Sequence, residues 1–251
     1  MNSPYVPRAV VFDLDGTLID SAPDVANALN AMLAEQGLSP LPVQQVRTMI
    51  GEGVDVLMEK ALAATGAPPR DEATLTYCTA RYRHFYAGAP AEHTVVYDGV
   101  PEVLAALRAA GYRLGLCTNK PHTITHLVLD ALGLAPHFAA VVGGENLPFR
   151  KPDARPLLAV LTHLGVDRTA CVYVGDSEID VETARNACVP MVLMRYGYAR
   201  IPVEALVADV KLDSFRDLPK ALTMIPAPAE CFREYSSSFS LKGGRIQTRR
   251  H

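Results

Sequence analysis

The sequence predicts an α/β protein: a doubly wound parallel sheet, Rossmann-like in its core, carrying a small all-helical cap domain. Three observations support this. Short apolar, β-branched runs alternate with segments of helical periodicity along most of the chain. A purely helical stretch over residues 21–90 interrupts that alternation directly after the first strand. Each notable polar cluster follows one of the apolar runs, where open parallel sheets hold their ligands.

Ala9-Val10-Val11-Phe12 reads as a strand buried on both faces. It breaks into Asp13 and Asp15, spaced i, i+2, and then Gly16. Alternation at a strand end points such a pair the same way, and Gly16 permits a sharp turn at positive φ. Ser21-Ala22-Pro23-Asp24 predicts a helix start, with Ser21 as N-cap, proline in the first turn and an acid three residues on. Val25, Ala28, Leu29, Met32 and Leu33 continue at helical spacing to Gly37. Further helices are expected over 43–50, 54–64 and 71–86, separated by Gly51-Glu52-Gly53 and Gly66-Ala67-Pro68-Pro69. Met32, Met49, Met58, Tyr82, Phe85 and Tyr86 would form the core of this helical part.

Strand–helix alternation resumes at Val95. A helix is expected over 101–110 and a strand over 113–117, followed by Thr118-Asn119-Lys120-Pro121 and a helix through Leu132. A strand over 138–142 ends in Gly143-Gly144, and a helix covers 156–164. The strand over 171–174 runs into Gly175-Asp176-Ser177, before a helix over 181–187 and a strand over 191–194. This gives a five-stranded sheet. The division expected is a catalytic core from residues 1–20 and 95–221, a helical cap over 21–94 and a flexible basic tail over 222–251.

With 49% hydrophobic and 20% charged residues, the 251-residue chain can bury a sizeable core. A net charge of −3 supplies no basic field for nucleic acid. No apolar run approaches a membrane span, and Met1-Asn2-Ser3-Pro4 lacks signal-peptide character, so a cytoplasmic protein is expected. Cys78, Cys117, Cys171, Cys188 and Cys231 are odd in number and scattered, and read as reduced core fillers. A monomer or homodimer is expected.

Parallel strands finish on one edge of a sheet, so residues distant in sequence should converge there. Asp13 and Asp15 follow the first strand, Thr118 and Asn119 the second, Lys151 the third, and Asp176 and Asp180 the fourth. Two like charges 4 Å apart repel by about 4 kcal/mol at an effective dielectric near 20. A cluster of acids therefore retains a proton or takes a cation. Oxygen donors with no histidine or cysteine among them suit Mg²⁺ rather than zinc or copper. Such a cation, one lysine and small hydroxyl and amide donors suit a phosphoryl group. A strand-end carboxylate can attack phosphorus, and a second carboxyl can move the protons. His122 and His126, at i, i+4, have no third ligand near them in sequence and read as a helix face. Arg47, Arg81 and Arg83 read as solvated, with one of them free to meet a substrate carboxylate.

Asp13-Leu14-Asp15-Gly16-Thr17-Leu18, Thr118-Asn119, Lys151-Pro152-Asp153 and Gly175-Asp176-Ser177-Glu178-Ile179-Asp180 resemble, in order, the four motifs of the haloacid dehalogenase-like hydrolases. The resemblance spans roughly residues 8–220 and implies a capped, Mg²⁺-dependent member. It implies Asp13 as nucleophile, Asp15 as acid/base, and Thr118, Asn119 and Lys151 as phosphate holders. Asp176 would be a metal ligand beside the Asp13 carboxylate and the Asp15 carbonyl, with Asp180 as supporting acid. Within the capped branch, residues 13–21, Ile50-Gly51-Glu52-Gly53, residues 117–121, Gly197-Tyr198 and Pro202-Val203-Glu204-Ala205-Leu206 are most similar to the phosphoglycolate phosphatases. That implies a small phosphorylated metabolite as partner, 2-phosphoglycolate foremost, with the loop at Gly51 and Gly53 approaching it. Sugar phosphatases and phosphomutases carry related caps and are the alternative. A phospho-accepting receiver lacks any such helical lid.

Overall fold

The computed structural model describes residues 7–225. β1 (Ala9–Phe12) is the innermost strand, and all four of its side chains are buried. The chain leaves through β2 (Ile19–Asp20) and forms α1 (Ala22–Glu35), α2 (Val43–Arg47), α3 (Val54–Ala64) and α4 (Glu72–Gly88). It returns through β3 (Val95–Val96), which pairs antiparallel with β2. Then follow α5 (Val100–Ala109), β4 (Arg113–Pro121), α6 (His122–Ala131), β5 (Ala140–Gly144) and α7 (Ala154–Leu164). β6 (Cys171–Gly175), α8 (Glu178–Ala187), β7 (Met191–Met194), β8 (Val210–Leu212) and α9 (Leu218–Leu222) complete the chain.

The main sheet has the order β5-β4-β1-β6-β7-β8, with every pairing parallel. After β1 the chain first builds on one side of it, with β4 and β5, and then crosses to the other with β6. That reversal opens a crevice at the carboxyl end of β1, the expected ligand position in such sheets. The two-residue alternation of β1 divides its side chains between two cores. Val10 and Phe12 pack with Leu104 and Leu107 of α5 and Val128 of α6. Ala9 and Val11 pack with Leu157 and Val160 of α7 and Ala184 of α8. The Phe12 ring lies 5.9 Å from that of Phe215 and 6.3 Å from that of Phe138.

Four expectations need correcting. The sheet has six strands, because β8 joins the edge next to β7. Its residues Val210, Lys211 and Leu212 are all half-buried, so they form no apolar run. The paired β2 and β3, two residues each, are too short for any periodicity. Ser21 does not cap α1 with its side chain. Pro23 at the second helical position has no N–H to offer it, and the hydroxyl turns to Asp15 instead. Finally, Cys78, Cys117 and Cys171 are free thiols, but Cys188 is disulfide-bonded, which scattered spacing in sequence could not reveal. The expected tail lies, from residue 226 onward, outside the described residues, whereas Leu222 and Ile225 are buried.

Phe12 joins the sheet to three surrounding elements, so Phe12→Ala should cost about 3–5 kcal/mol of stability. Urea unfolding measures this directly, and a loss below about 1 kcal/mol would show that the ring is peripheral.

Candidate active site

Lys151 stands at the centre of the site. It lies in the connection between β5 and α7 and is 3% exposed. Its Nζ is 2.8 Å from Asp13 Oδ1 and 2.7 Å from Asp180 Oδ1, and donates to the Tyr173 hydroxyl at 3.0 Å. Burial works against the ammonium, but Asp13 and Asp180 outweigh it and hold the pKa above the usual lysine value. Asp180 is fully committed. Beyond Lys151 it accepts from the Tyr173 hydroxyl, from the backbone N–H groups of Asp176 and Ser177, and from Ser177 Oγ. Ser177 and Asp180 form a reciprocal capping box at the start of α8. Burial alone would raise the Asp180 pKa, but Lys151 and these donors bring it below the ordinary carboxylate value.

Asp176, at the end of β6, accepts from Thr17 Oγ1 at 2.7 Å and from the Tyr198 N–H at 2.6 Å. Two glycines make room for it. A Cβ on Gly16 (φ +91°) would lie 2.4 Å from Asp176 Oδ2, and one on Gly197 would lie 2.3 Å from the same atom. The Gly16 conformation is one that other residues rarely adopt.

Asp13, Asp176 and Asp180 each bring a carboxylate oxygen within 4.8 Å of the others. One ammonium cannot neutralise three carboxylates. Asp13 is pushed up to about 7, first by burial and then by Asp180 and Asp15, with Lys151 opposing. Asp176 is pushed well above the usual range by burial and by Asp180 and Asp13. Although Lys151 Nζ lies within ion-pair distance, Asp13 Oδ1 is buried without an aligned hydrogen-bond donor. A buried carboxylate that shares its one ammonium with Asp180, beside a second carboxylate held by neutral donors, is the donor set of a hard divalent cation.

Asp15 keeps its carboxylate apart from that group. It accepts from Ser21 Oγ at 2.5 Å and from Lys120 Nζ at 3.0 and 3.2 Å. Lys120, 7% exposed, also donates to the Tyr86 hydroxyl of α4 at 2.6 Å. Lys120 was not singled out from the sequence. The apolar run ends at Cys117, which masks it, whereas β4 runs on through Pro121 with an irregularity in its register. Tyr173 sits inside the apolar run of β6 and reads as core, while Tyr86 and Tyr198 reach the site from elements distant in sequence.

Thr118 is buried and its Oγ1 accepts from the Lys120 N–H at 3.2 Å. The Asn119 side chain joins two loops. Its Nδ2 donates to the Gly51 and Lys151 carbonyls, and its Oδ1 accepts from the Lys151 N–H at 2.9 Å. Gly51 and Gly53 line one pocket with Asp13, Asp15, Thr118 and Lys120. Val25, Ile50, Val54, Leu57 and Tyr82 give its other wall an apolar surface. Arg47, Arg81 and Arg83 are paired with Asp20, Glu35 and Glu145. The His122 and His126 rings meet edge to face at 4.5 Å, and among the described residues neither joins a group of three metal-capable side chains.

The haloacid dehalogenase-like hydrolase family model matches residues 7–187. The phosphoglycolate phosphatase of Rhodospirillum rubrum is 47% identical over 216 residues, covering 85% of this chain and 90% of its own. That of Caulobacter vibrioides is 44% identical over 223 residues, covering 87% and 94%. The crystal structure of a predicted phosphoglycolate phosphatase from Haemophilus somnus superposes with a TM-score of 0.80 at 32% identity, covering 85% of this chain and 97% of that one. The chain belongs to the haloacid dehalogenase-like hydrolases. Within that family it is a phosphoric monoester hydrolase.

Because Asp13 binds its proton more tightly folded than unfolded, it stabilises the chelator-treated protein at low pH. That contribution declines as pH rises from about 4 to about 7. Thermal melts with chelator over this range should show a shallower decline for Asp13→Asn than for the wild type. Identical slopes would mean that Asp13 is not the titrating acid.

Proposed function

We propose that this phosphatase hydrolyses 2-phosphoglycolate to glycolate and phosphate, using Mg²⁺ and an aspartyl-phosphate intermediate. The observation that carries the reading is the underpaired Asp13 carboxylate, held against Lys151 and Asp176 on the wall of the pocket. The substrate class rests on relatives that are themselves phosphoglycolate phosphatases and are matched along almost their whole length.

Asp13 is the nucleophile. A carboxylate oxygen attacks phosphorus, an Asp13–phosphorus bond forms, and the bond to the glycolate oxygen breaks. Asp15, as the carboxylic acid, gives its proton to that departing oxygen. In the second half, Asp15 takes a proton from water as the water oxygen attacks phosphorus. Phosphate leaves and the Asp13 carboxylate is restored. Lys151 offsets charge on Asp13 and on the phosphoryl oxygens, with Thr118 and the backbone around Asn119 as further phosphate donors. Asp180 acts through Lys151 and Ser177 as a positioning acid. Asp13 and Asp176 would hold the cation with the Asp15 carbonyl, and when bound it supplies electrostatic compensation between the acids and the phosphoryl group.

Residues 21–94 act as a cap over a core of residues 1–20 and 95–221. The arrangement in favour is the paired β2 and β3, through which the chain leaves and returns. The Gly51–Gly53 loop would bring backbone amides to a small dianion and exclude water. Arg47, Arg81 and Arg83 are all paired away from the pocket, while Lys120, itself paired with Asp15, is a cation that lines it. The cytoplasm is the compartment proposed; among the described residues no helix is long and apolar enough to cross a membrane.

Phosphate release from 2-phosphoglycolate should require Mg²⁺ and stop with chelator, and Asp13→Asn should lower kcat by at least about a thousandfold while the protein stays folded. Retained Mg²⁺-dependent turnover in that variant would remove Asp13 as nucleophile. Faster turnover of hexose phosphates than of 2-phosphoglycolate would favour the sugar-phosphatase reading.

A further inference from the structure

Tyr198 lies in the segment after β7 and is 6% exposed. Its hydroxyl accepts from the N–H groups of Ser21 at 2.9 Å and Ala22 at 3.1 Å, and donates to Asp20 Oδ1 at 2.6 Å. It thus satisfies the amides of the N-cap residue and of the first helical residue, whereas an N-cap side chain serves the second or third. Pro23 has already removed one amide from that turn. The Ser21 hydroxyl makes no capping bond and donates to Asp15 Oδ1. The backbone N–H of the same Tyr198 holds Asp176 Oδ2. Asp20, the third member, is fixed from α2 by Arg47, whose guanidinium also lies 4.9 Å above the Tyr198 ring. One residue therefore binds the entry into the helical segment and, at the same time, an acid of the cation site.

We propose that Tyr198 and Ser21 form a positioning relay for Asp15: the Tyr198 hydroxyl holds the backbone amides of Ser21 and Ala22, and the Ser21 hydroxyl placed by that grip fixes the acid/base carboxylate. The relay rests on the reading of Asp15 as the acid/base. Neither residue touches the reacting atoms. Each acts through Asp15, so the effect falls on the chemical step. A change in how α1 meets β2 reaches Asp15 along the same bonds, which ties the helical segment's position to the competence of the acid.

A double-mutant cycle tests this. Tyr198→Phe keeps the ring and the backbone N–H that holds Asp176, and removes only the hydroxyl. Ser21→Ala removes the hydroxyl on Asp15. Each should lower kcat by roughly ten- to a hundredfold, with KM changed by less than about threefold, because a misplaced catalytic group costs the transition state rather than binding. The double variant should be no slower than Ser21→Ala alone, and Ser21→Thr, which keeps a hydroxyl, should restore most of kcat. Losses that multiply, an unchanged kcat in Tyr198→Phe, or failure of Ser21→Thr to restore what Ser21→Ala loses would each overturn the relay. The cycle is run with p-nitrophenyl phosphate as well as 2-phosphoglycolate. If the wild type ignores 2-phosphoglycolate, the substrate reading fails, while the cycle on the other ester still decides the relay. Thermal melts of each variant separate lost catalysis from lost folding.

Discussion

A single buried ammonium group faces more negative charge than it can balance, and the rest of the site is arranged around that mismatch. Lys151 touches Asp13 and Asp180, while Asp176 completes the group of carboxylates with no ion-pair partner among the described residues. Unpaired charge in the interior is expensive, so the surplus has to be met by protons or by a cation. The three acids are treated unequally. Asp180 receives every donor it can use and stays ionised. Asp13 and Asp176 are left short, and burial drives their proton affinity upward. The two acids that most need compensation are the two with capacity left to bind a cation.

The sheet makes this distribution possible. Its order places β1 between β4 and β6, so the acids after β1 and β6 and the polar residues at the end of β4 open on one crevice. Glycine takes over where space is short. At Gly16 and Gly197, an added methyl group would overlap the Asp176 side chain. Asp176 thus owes its position to residues with no chemistry of their own. The helical layer contributes from the opposite side, through Tyr86 on Lys120 and Gly51 on Asn119.

The alternating strands and helices were legible because buried parallel strands and amphipathic helices each leave a periodic trace. β1 and α3 fall where the pattern put them. β8 did not, because a three-residue, half-buried edge strand leaves no such trace. The polar residues that gather at the sheet edge were legible for a related reason, since each follows an apolar run. Lys120 was hidden by an apparent strand end at Cys117, when β4 in fact continues to Pro121. Ser21 shows the limit of local rules: its neighbourhood reads as a cap, yet its hydroxyl goes to Asp15 and a tyrosine 177 residues away holds its backbone amide. Contacts of that kind follow from packing and leave no mark in the local sequence.

The central claim is that the acids around Lys151 are left in deficit so that a divalent cation can restore the balance. Isothermal titration of the chelator-stripped protein with Mg²⁺, in two buffers of different ionisation enthalpy near pH 7, tests it most directly. The account predicts saturable binding at one site per chain, with protons released as the cation replaces those held by the acids, and no such binding in Asp176→Asn. Absence of saturable binding, or binding with no proton release and no dependence on Asp176, would contradict it.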